Sequence, residues 1–464
     1  MIPAHHSEAL AAMSPASLGS ALSVWSALPL AGLLLSLAFL PLFSPRFWQK
    51  NYYYVVAAWG LILAIPFIFY FGEPAVHETI HMVLLDYIPF IILLLSLFTV
   101  AGGIYLEGAL KGTPFTNVIM LFIGTVIASW IGTTGASMLL IRPMIRTNAR
   151  RKNKAHIIIF FIFLVSNIGG ALTPLGDPPL FLGFLRGVPF FWTFSLLPVT
   201  AFVSAICLAV FFALDTIYYR LEKHHLPHLE ESNLETGLRL RGGHNFVYLG
   251  GIIAAVLFSG MVNLGEITFL NIRLPVQDVI RDIALVLITA LSIATTPKKI
   301  RTANQFCWHP MIEVAVIFAA IFVTILPVLA MLRAGAEGQL AFITMAARKP
   351  WHYFWITGLL SSLLDNAPTY LTFLTTALGN FFNGLPEHEA LIKLIAAHPA
   401  VLQAVSAGAV FMGANTYIGN APNFMVRVIA EESGIKMPSF FGYMVWSAVI
   451  LLPLFILATL IFFV

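Results

Sequence analysis

Two acidic residues stand alone inside long apolar stretches: Asp177, between Gly176 and Pro178, and Asp365, followed by Asn366, Ala367, Pro368 and Thr369. At the centre of a membrane helix an Asp costs about 2.5–3.5 kcal/mol, so such residues point to function by default. A buried carboxylate can hold Na⁺ when ionised and a proton when neutral. Competition of the two cations for one carboxylate is the simplest chemistry of antiport, and Asp177 and Asp365 are the candidate Na⁺ sites. Asn167, Thr173, Asn366, Thr369, Asn415, Thr416 and Asn420 are the neutral oxygens and donors placed to surround them, with Thr133, Thr134 and Ser137 on a further stretch. The plainer alternative is that either Asp caps the N-terminus of a half-helix.

These residues fall in segments that break helices. Residues 170–181 contain Gly170, Thr173, Pro174, Gly176, Asp177, Pro178 and Pro179, and residues 413–424 lie at a constant offset of 243. At that offset Gly170 meets Gly413, Ala171 meets Ala414, Gly176 meets Gly419, Pro179 meets Pro422 and Phe181 meets Phe424, while Asp177 faces Asn420. Glycine and proline interrupt the helical ladder and free backbone groups. At membrane depth such groups are tolerated only where they are buried in protein or line a cavity. A second alignment, at an offset of 232, pairs Thr133, Thr134 and Ser137 with Asp365, Asn366 and Thr369.

The elements that must position these residues follow from the apolar pattern. Of 464 residues 59% are hydrophobic and 10% charged, with a formal net charge of +4. Soluble domains carry about 25% charged residues, so a soluble protein is excluded and lipid must solvate part of the chain. The pattern predicts an all-α polytopic membrane protein. Spans are expected at 24–43, 52–71, 84–104, 156–183 and 191–219, then at 245–264, 279–297, 311–332, 399–427 and 438–463. Residues 114–145 and 351–378 are interrupted midway and are expected as re-entrant hairpins. On that reading 16 of the 25 Lys and Arg share one side, including Arg146 to Lys154 and Lys298 to Arg301. Basic loops face the cytoplasm, so the chain is expected in the inner membrane with both termini outside. The first apolar run has no basic region before it and is expected as a retained span rather than a cleaved signal.

The same count makes the halves equivalent: residues 1–219 form a first repeat, 220–244 a cytoplasmic linker and 245–464 a second repeat. Each repeat holds five crossings and one hairpin, so the second is inverted, and the helices broken within 156–183 and 399–427 meet at mid-membrane. Inverted repeats with discontinuous helices are a recurring transporter architecture.

The segment from Ser166 to Pro179 resembles the ion transporter superfamily, and the resemblance covers roughly 84–215 and 311–460. Within it, Asp365-Asn366 and Gly176-Asp177 resemble NhaD-type Na⁺/H⁺ antiporters, while the set as a whole is also similar to proteins classed as citrate carriers. Dicarboxylate carriers of the superfamily have Thr at the position of Asp177 and Ser-Asn-Thr at both hairpin tips, and this chain departs from both. The resemblance implies a secondary transporter without a resident cofactor, Na⁺ or H⁺ as coupling ion, and a homodimer.

Three functions stand against one another: Na⁺/H⁺ antiport, coupled uptake of a small organic anion such as citrate, and an intramembrane hydrolase. The anion reading needs a cationic group at the site, for which Arg142 is the candidate, against snorkelling beside Arg146. The hydrolase lacks a His-Glu-x-x-His pair or a Gly-x-Ser-x-Gly elbow, so a transporter rather than an enzyme is expected. Cys207 and Cys307 are expected as free thiols. The histidines His224, His225 and His228 and the acidic group of His77, Glu78, His81 and Asp86 read as solvated polar clusters, with pH sensing as the alternative. The basic run 146–154 has no aromatic interleaving that suggests nucleic acid; it reads as a topology determinant.

Overall fold

A computed structural model describes residues 19–108, 110–225, 237 and 239–464. The chain is all-α and polytopic. Its first helices are α1 (Leu28–Phe43), α2 (Pro45–Phe71) and α3 (Glu73–Ala101), the last passing through a π-helical turn at Val83–Tyr87. Then come α4 (Pro114–Ile131), α5 (Thr133–Thr147), α6 (Ala155–Leu164), α7 (Pro178–Leu185) and α8 (Leu197–His225). The later part runs α9 (Asn245–Met261), α10 (Val276–Thr295), α11 (Lys298–Ala303), α12 (His309–Thr324), α13 (Leu326–Arg333) and α14 (Ala341–Ala346). It closes with α15 (Pro350–Leu363), α16 (Asn366–Phe381), α17 (Glu387–Ala397), α18 (Pro399–Met412), α19 (Ala421–Glu432) and α20 (Phe440–Phe462).

Seven of these helices are long and apolar enough to cross a membrane, or up to nine if each of two bent pairs counts as one span. Their outward faces carry large apolar side chains such as Tyr54, Ile65 and Phe69 on α2 and Val449 and Leu460 on α20. Lipid is the solvent that accepts such a surface. The expected spans 311–332 and 399–427 fall in the bent pairs, and two others stand apart from all nine: α9 is short, and α10 carries Asp278, Arg281 and Asp282 near its start.

Both expected hairpins are pairs of packed helices. Residues Pro114–Ile131 could cross by length alone, yet the chain turns at Gly132 (φ 79°) and α5 runs back against α4. The left-handed φ is one that glycine adopts without strain. The second turn passes through Leu364 and Asp365 in extended conformation, and α16 returns along α15. The expected span 156–183 is split into α6, a short 3-10 segment (Ile168–Leu172) and α7; 399–427 is split into α18, a 3-10 turn (Gly413–Asn415) and α19.

The helices pack in two groups. The hairpins and broken helices form one, in which α15 lies on α18 and α4 and α8 close around the break after α6. In the other, α1 lies on α2, α10 on α3 and α9, and α12 on α2. Helix α13 on α16 and α3 on α5 join the groups. Two antiparallel strand pairs complete the fold, Tyr105–Glu107 with Arg239–Arg241 and Glu266–Phe269 with Ile272–Pro275.

Some charges expected at the surface are buried. Arg151, read as part of a topology determinant, bonds Asp215 (2.8 Å) and Glu222 (2.6 Å), and His156 lies 2.9 Å from the same Asp215 oxygen. Burying the guanidinium requires these partners, because an unpaired buried charge costs several kcal/mol. Cys207 is buried and Cys307 exposed, and both are free. His224 and His225 end α8 with their side chains outside the described structure, as is the whole of His228.

The break in the first split helix depends on one close approach. A Cβ on Gly176 would stand 2.1 Å from the carbonyl oxygen of Gly170, a backbone atom that cannot swing aside. Gly176→Ala is expected to lower the unfolding midpoint in detergent by several degrees, for a loss of about 1–3 kcal/mol. Gly250→Ala, on α9 with no heavy atom near the added methyl, is expected to leave the midpoint unchanged or raise it. Equal midpoints for the two variants would rule out this account of the break.

Candidate functional site

Four helices begin at one place. The N-termini of α5 (Thr133), α7 (Pro178), α16 (Asn366) and α19 (Ala421) all lie at or beside the residues that bond Asp177. Thr133 Oγ1 donates to Asp177 Oδ1 at 2.9 Å, and Asn420 Nδ2 donates to the same oxygen at 3.0 Å. Asn366 Nδ2 donates to Oδ2 at 2.5 Å. Both hairpin turns and both helix breaks therefore meet on a single carboxylate, which is 1% exposed. Each helix N-terminus presents unsatisfied N–H groups and about half a positive charge, which favours an anion there.

The local backbone explains how the breaks are held open. In the first, Thr173 and Asp177 are extended, with φ −139° and −142°; in the second, Thr416 and Asn420 match them at −138° and −153°. Residues in this conformation leave the helical ladder, and neighbouring hydroxyls take over their hydrogen bonds. Ser129 Oγ donates to Gly169 O (2.5 Å) and accepts from Leu172 N (3.0 Å), while the Thr173 hydroxyl donates to Ser129 O. Around the second break, Ser362 Oγ bonds Met412 O (3.0 Å) and accepts from Asn415 Nδ2 (2.9 Å). Thr416 Oγ1 donates to Ser362 O at 2.5 Å. The two junctions thus use the same bonds. Thr133 N also donates to Gly176 O at 2.8 Å, tying the first turn to the first break directly.

Other predicted residues join through the amide network. Asn167 Nδ2 donates to Asn423 Oδ1 at 2.7 Å, and its own Oδ1 accepts from Asn420 at 3.3 Å. Ser137 shares a hydrogen bond of 2.8 Å with Ser166. Thr134 and Asp177 line a cavity of about 110 Å³ with Leu97, Phe98, Met311 and Met425. Two predicted residues stay out of the cluster. Asp365 is the N-cap of α16, its Oδ1 accepting from Ala367 N at 3.1 Å, and Thr369 donates back to the Asp365 carbonyl at 2.9 Å. Arg142 bonds Gln305 at 2.7 Å beside Arg146 and Glu432, and it does not line the Asp177 cavity.

Ser129, Ser166, Ser362 and Asn423 belong to the site and were not among the predicted residues. For Ser129 and Ser362 a signal existed: they are related by an offset of 233, as are Thr133 and Asn366, both of which donate to Asp177. The offset of 232 read from sequence placed Asp365 opposite Thr133, one residue out of register. Asn423 had no such signal, since its partner at the 243 offset is Leu180.

Residues 19–463, nearly the whole chain, match the model of the family described as "putative citrate transport". The chain belongs to that family. No curated protein matches it significantly. The family is one of carriers, and the described helices agree with a membrane transporter. Within this citrate transport family member, the three donors to Asp177 are all neutral, as are the remaining side chains that bond them. A buried anion held only by dipoles and amides is left with a negative charge to balance, which a monovalent cation or a proton would do. Two buried amide oxygens, Asn366 Oδ1 and Asn415 Oδ1, have no hydrogen-bond partner among the described residues. Carboxylate and amide oxygens are the ligand types that hard cations take.

If the two serines carry the junctions, Ser129→Ala and Ser362→Ala should each lose about 1–3 kcal/mol, because each leaves buried donors unpaired. The expected result is a lower thermal midpoint in detergent for both. Thr302→Ala, which removes only an exposed bond to Lys298 O, should stay within about 0.5 kcal/mol of the parent. Should either serine variant unfold together with Thr302→Ala, that junction is held by something else.

Proposed function

We propose that the protein is an ion-coupled secondary transporter whose exchange site is Asp177, working as a Na⁺/H⁺ antiporter by alternating access. The observation that carries this reading is the meeting of both turns and both breaks on one buried carboxylate with neutral partners only. Na⁺ would be held by Asp177 together with the free amide oxygen of Asn366; the proton would replace it on the carboxylate. Because both cations compete for one group, neither can leave without the other's arrival unless a bare carboxylate is left buried, and that cost is what couples their flows. Asp365 takes the role of a helix cap rather than an ion ligand.

The architecture proposed with it is a pair of inverted repeats, residues 1–219 and 245–464, joined by a linker at 220–244. Support comes from the matched bonds and backbone angles of the two breaks. The loops 105–113, 146–155 and 298–310 would face the cytoplasm of a cell with an inner membrane, by the charge bias of the loops. The pairing of Tyr105–Glu107 with Arg239–Arg241 is consistent with loop and linker sharing that side.

Coupled transport of citrate or a similar carboxylate is the second reading, and it rests on the family. In that case Asp177 binds the coupling cation and the anion takes a separate place in the cavity beside it. The cavity is lined mostly by apolar side chains and holds no cationic one. Geometry therefore favours cation exchange.

Everted vesicles with a pre-formed proton gradient separate the readings. Na⁺ or Li⁺ is expected to dissipate the gradient, with activity reduced at least about tenfold in Asp177→Asn. Asp365→Asn should retain most activity, since Asn caps helices as well as Asp does. Wild-type rates in an Asp177→Asn protein would sink the exchange site. Labelled citrate uptake with no response to cations alone would move the second reading to first place.

A further inference from the structure

Midway along α3, about two turns before Leu93 of the Asp177 cavity, lies a chain of partly buried ion pairs. Arg186 grips Asp86 with two bonds, Nε to Oδ1 at 2.9 Å and Nη2 to Oδ2 at 3.0 Å. Its third nitrogen, Nη1, reaches Glu387 Oε1 at 2.8 Å, and the other Glu387 oxygen accepts from Arg333. The side chains of Asp86 and Arg186 are 4% and 12% exposed. Two cations and two anions alternate, so the chain is neutral. Each charge also suits its helix: Arg186 and Arg333 end α7 and α13, and Glu387 opens α17. Asp86 sits in the π-helical turn of α3. Glu78 and His81 line the small cavity beside the pairs.

The chain crosses between the two packing groups. Asp86 on α3 and Arg333 on α13 come from the group that holds α1, α2, α10 and α12. Arg186 follows the first broken helix, and Glu387 leads into the second. The Asp177 cavity, by contrast, is lined by Leu93 to Phe98 of α3, by Pro310 and Met311 at the start of α12, and by Met425 of α19. Seven residues of helix, about 10 Å, separate Asp86 from Leu93, and twelve, about 18 Å, separate it from Phe98. Along α3 the cavity therefore extends toward the loops around Lys111 and Lys298 to Arg301, and the ion pairs lie on its other side.

We propose that the Asp86–Arg186–Glu387–Arg333 chain is a latch between the two helix groups. It holds Asp177 toward the basic end, and it must part each time the site turns to the opposite face. This rests on the alternating-access reading above but not on which ion or anion is carried. Removing one partner from a buried pair leaves a charge uncompensated, so a single neutral substitution should weaken the latched state strongly.

The test reads accessibility rather than transport, so it stands even if Na⁺/H⁺ exchange fails. In a Cys307→Ser background, where Cys207 is buried, Thr134→Cys reports from the cavity wall. A membrane-impermeant maleimide is applied to everted and to right-side-out vesicles. With the latch intact, labelling is expected from the cytoplasmic face only. Asp86→Asn and Glu387→Gln should each raise labelling from the outer face at least about tenfold. Glu387, at 20% side-chain exposure, tolerates substitution better, so a folding failure of Asp86→Asn leaves the test in place. Labelling from both faces in the parent, or no gain in membrane-inserted Glu387→Gln, overturns the latch.

Discussion

One buried carboxyl group organises the centre of this protein. Four helices start within hydrogen-bonding reach of Asp177, and four positive helix ends facing one another would repel without an anion between them. The carboxylate answers that constraint with two oxygens and three neutral donors. The arrangement also explains why the counterpart position is Asn420 and not a second Asp. Two carboxylates on the same cluster would oppose each other, whereas the amide donates to the one already there.

The broken helices are the consequence of building that meeting point. To bring four helix starts together, two long helices must stop and restart inside the membrane, and each stop frees carbonyls and amides. The structure satisfies them with hydroxyls of the hairpins, Ser129 and Ser362, and of the breaks themselves, Thr173 and Thr416. Because the bonds run from hairpin to break, each hairpin is fastened to the broken helix beside it. Contacts between this group of helices and the other include the ion pairs of Asp86, Arg186, Glu387 and Arg333.

The family assignment and the site geometry lean in different directions. A citrate carrier needs positive groups for a trivalent anion, yet the cavity wall beside Asp177 is apolar apart from the two threonines and the carboxylate. The cationic candidate, Arg142, bonds Gln305 through Nη2 near Glu432, about two turns farther along α5 than the cavity wall. Beside Asp177 the cavity wall offers a carboxylate and two hydroxyls and no cationic side chain.

The helical class and the location of the site were legible because both have strong sequence signatures. Apolar runs of membrane length admit no other fold class, and glycine and proline inside them mark where the ladder breaks. The offset of 243 paired the two breaks, and their backbone angles agree. The role of each acid was not legible: sequence treated Asp177 and Asp365 alike, and only the packing gave the first three side-chain donors and the second a helix to cap. The hairpin alignment fell one residue short because few side chains there are identical, and a slip of one is invisible until Thr133 and Asn366 are seen on the same carboxylate. The ion-pair chain was likewise out of reach, since its members lie up to 301 positions apart, from Asp86 to Glu387 (387 − 86). Local composition decides where a helix starts, stops and meets lipid. Which charges are paired depends on distances between elements, and those are fixed only when the helices pack.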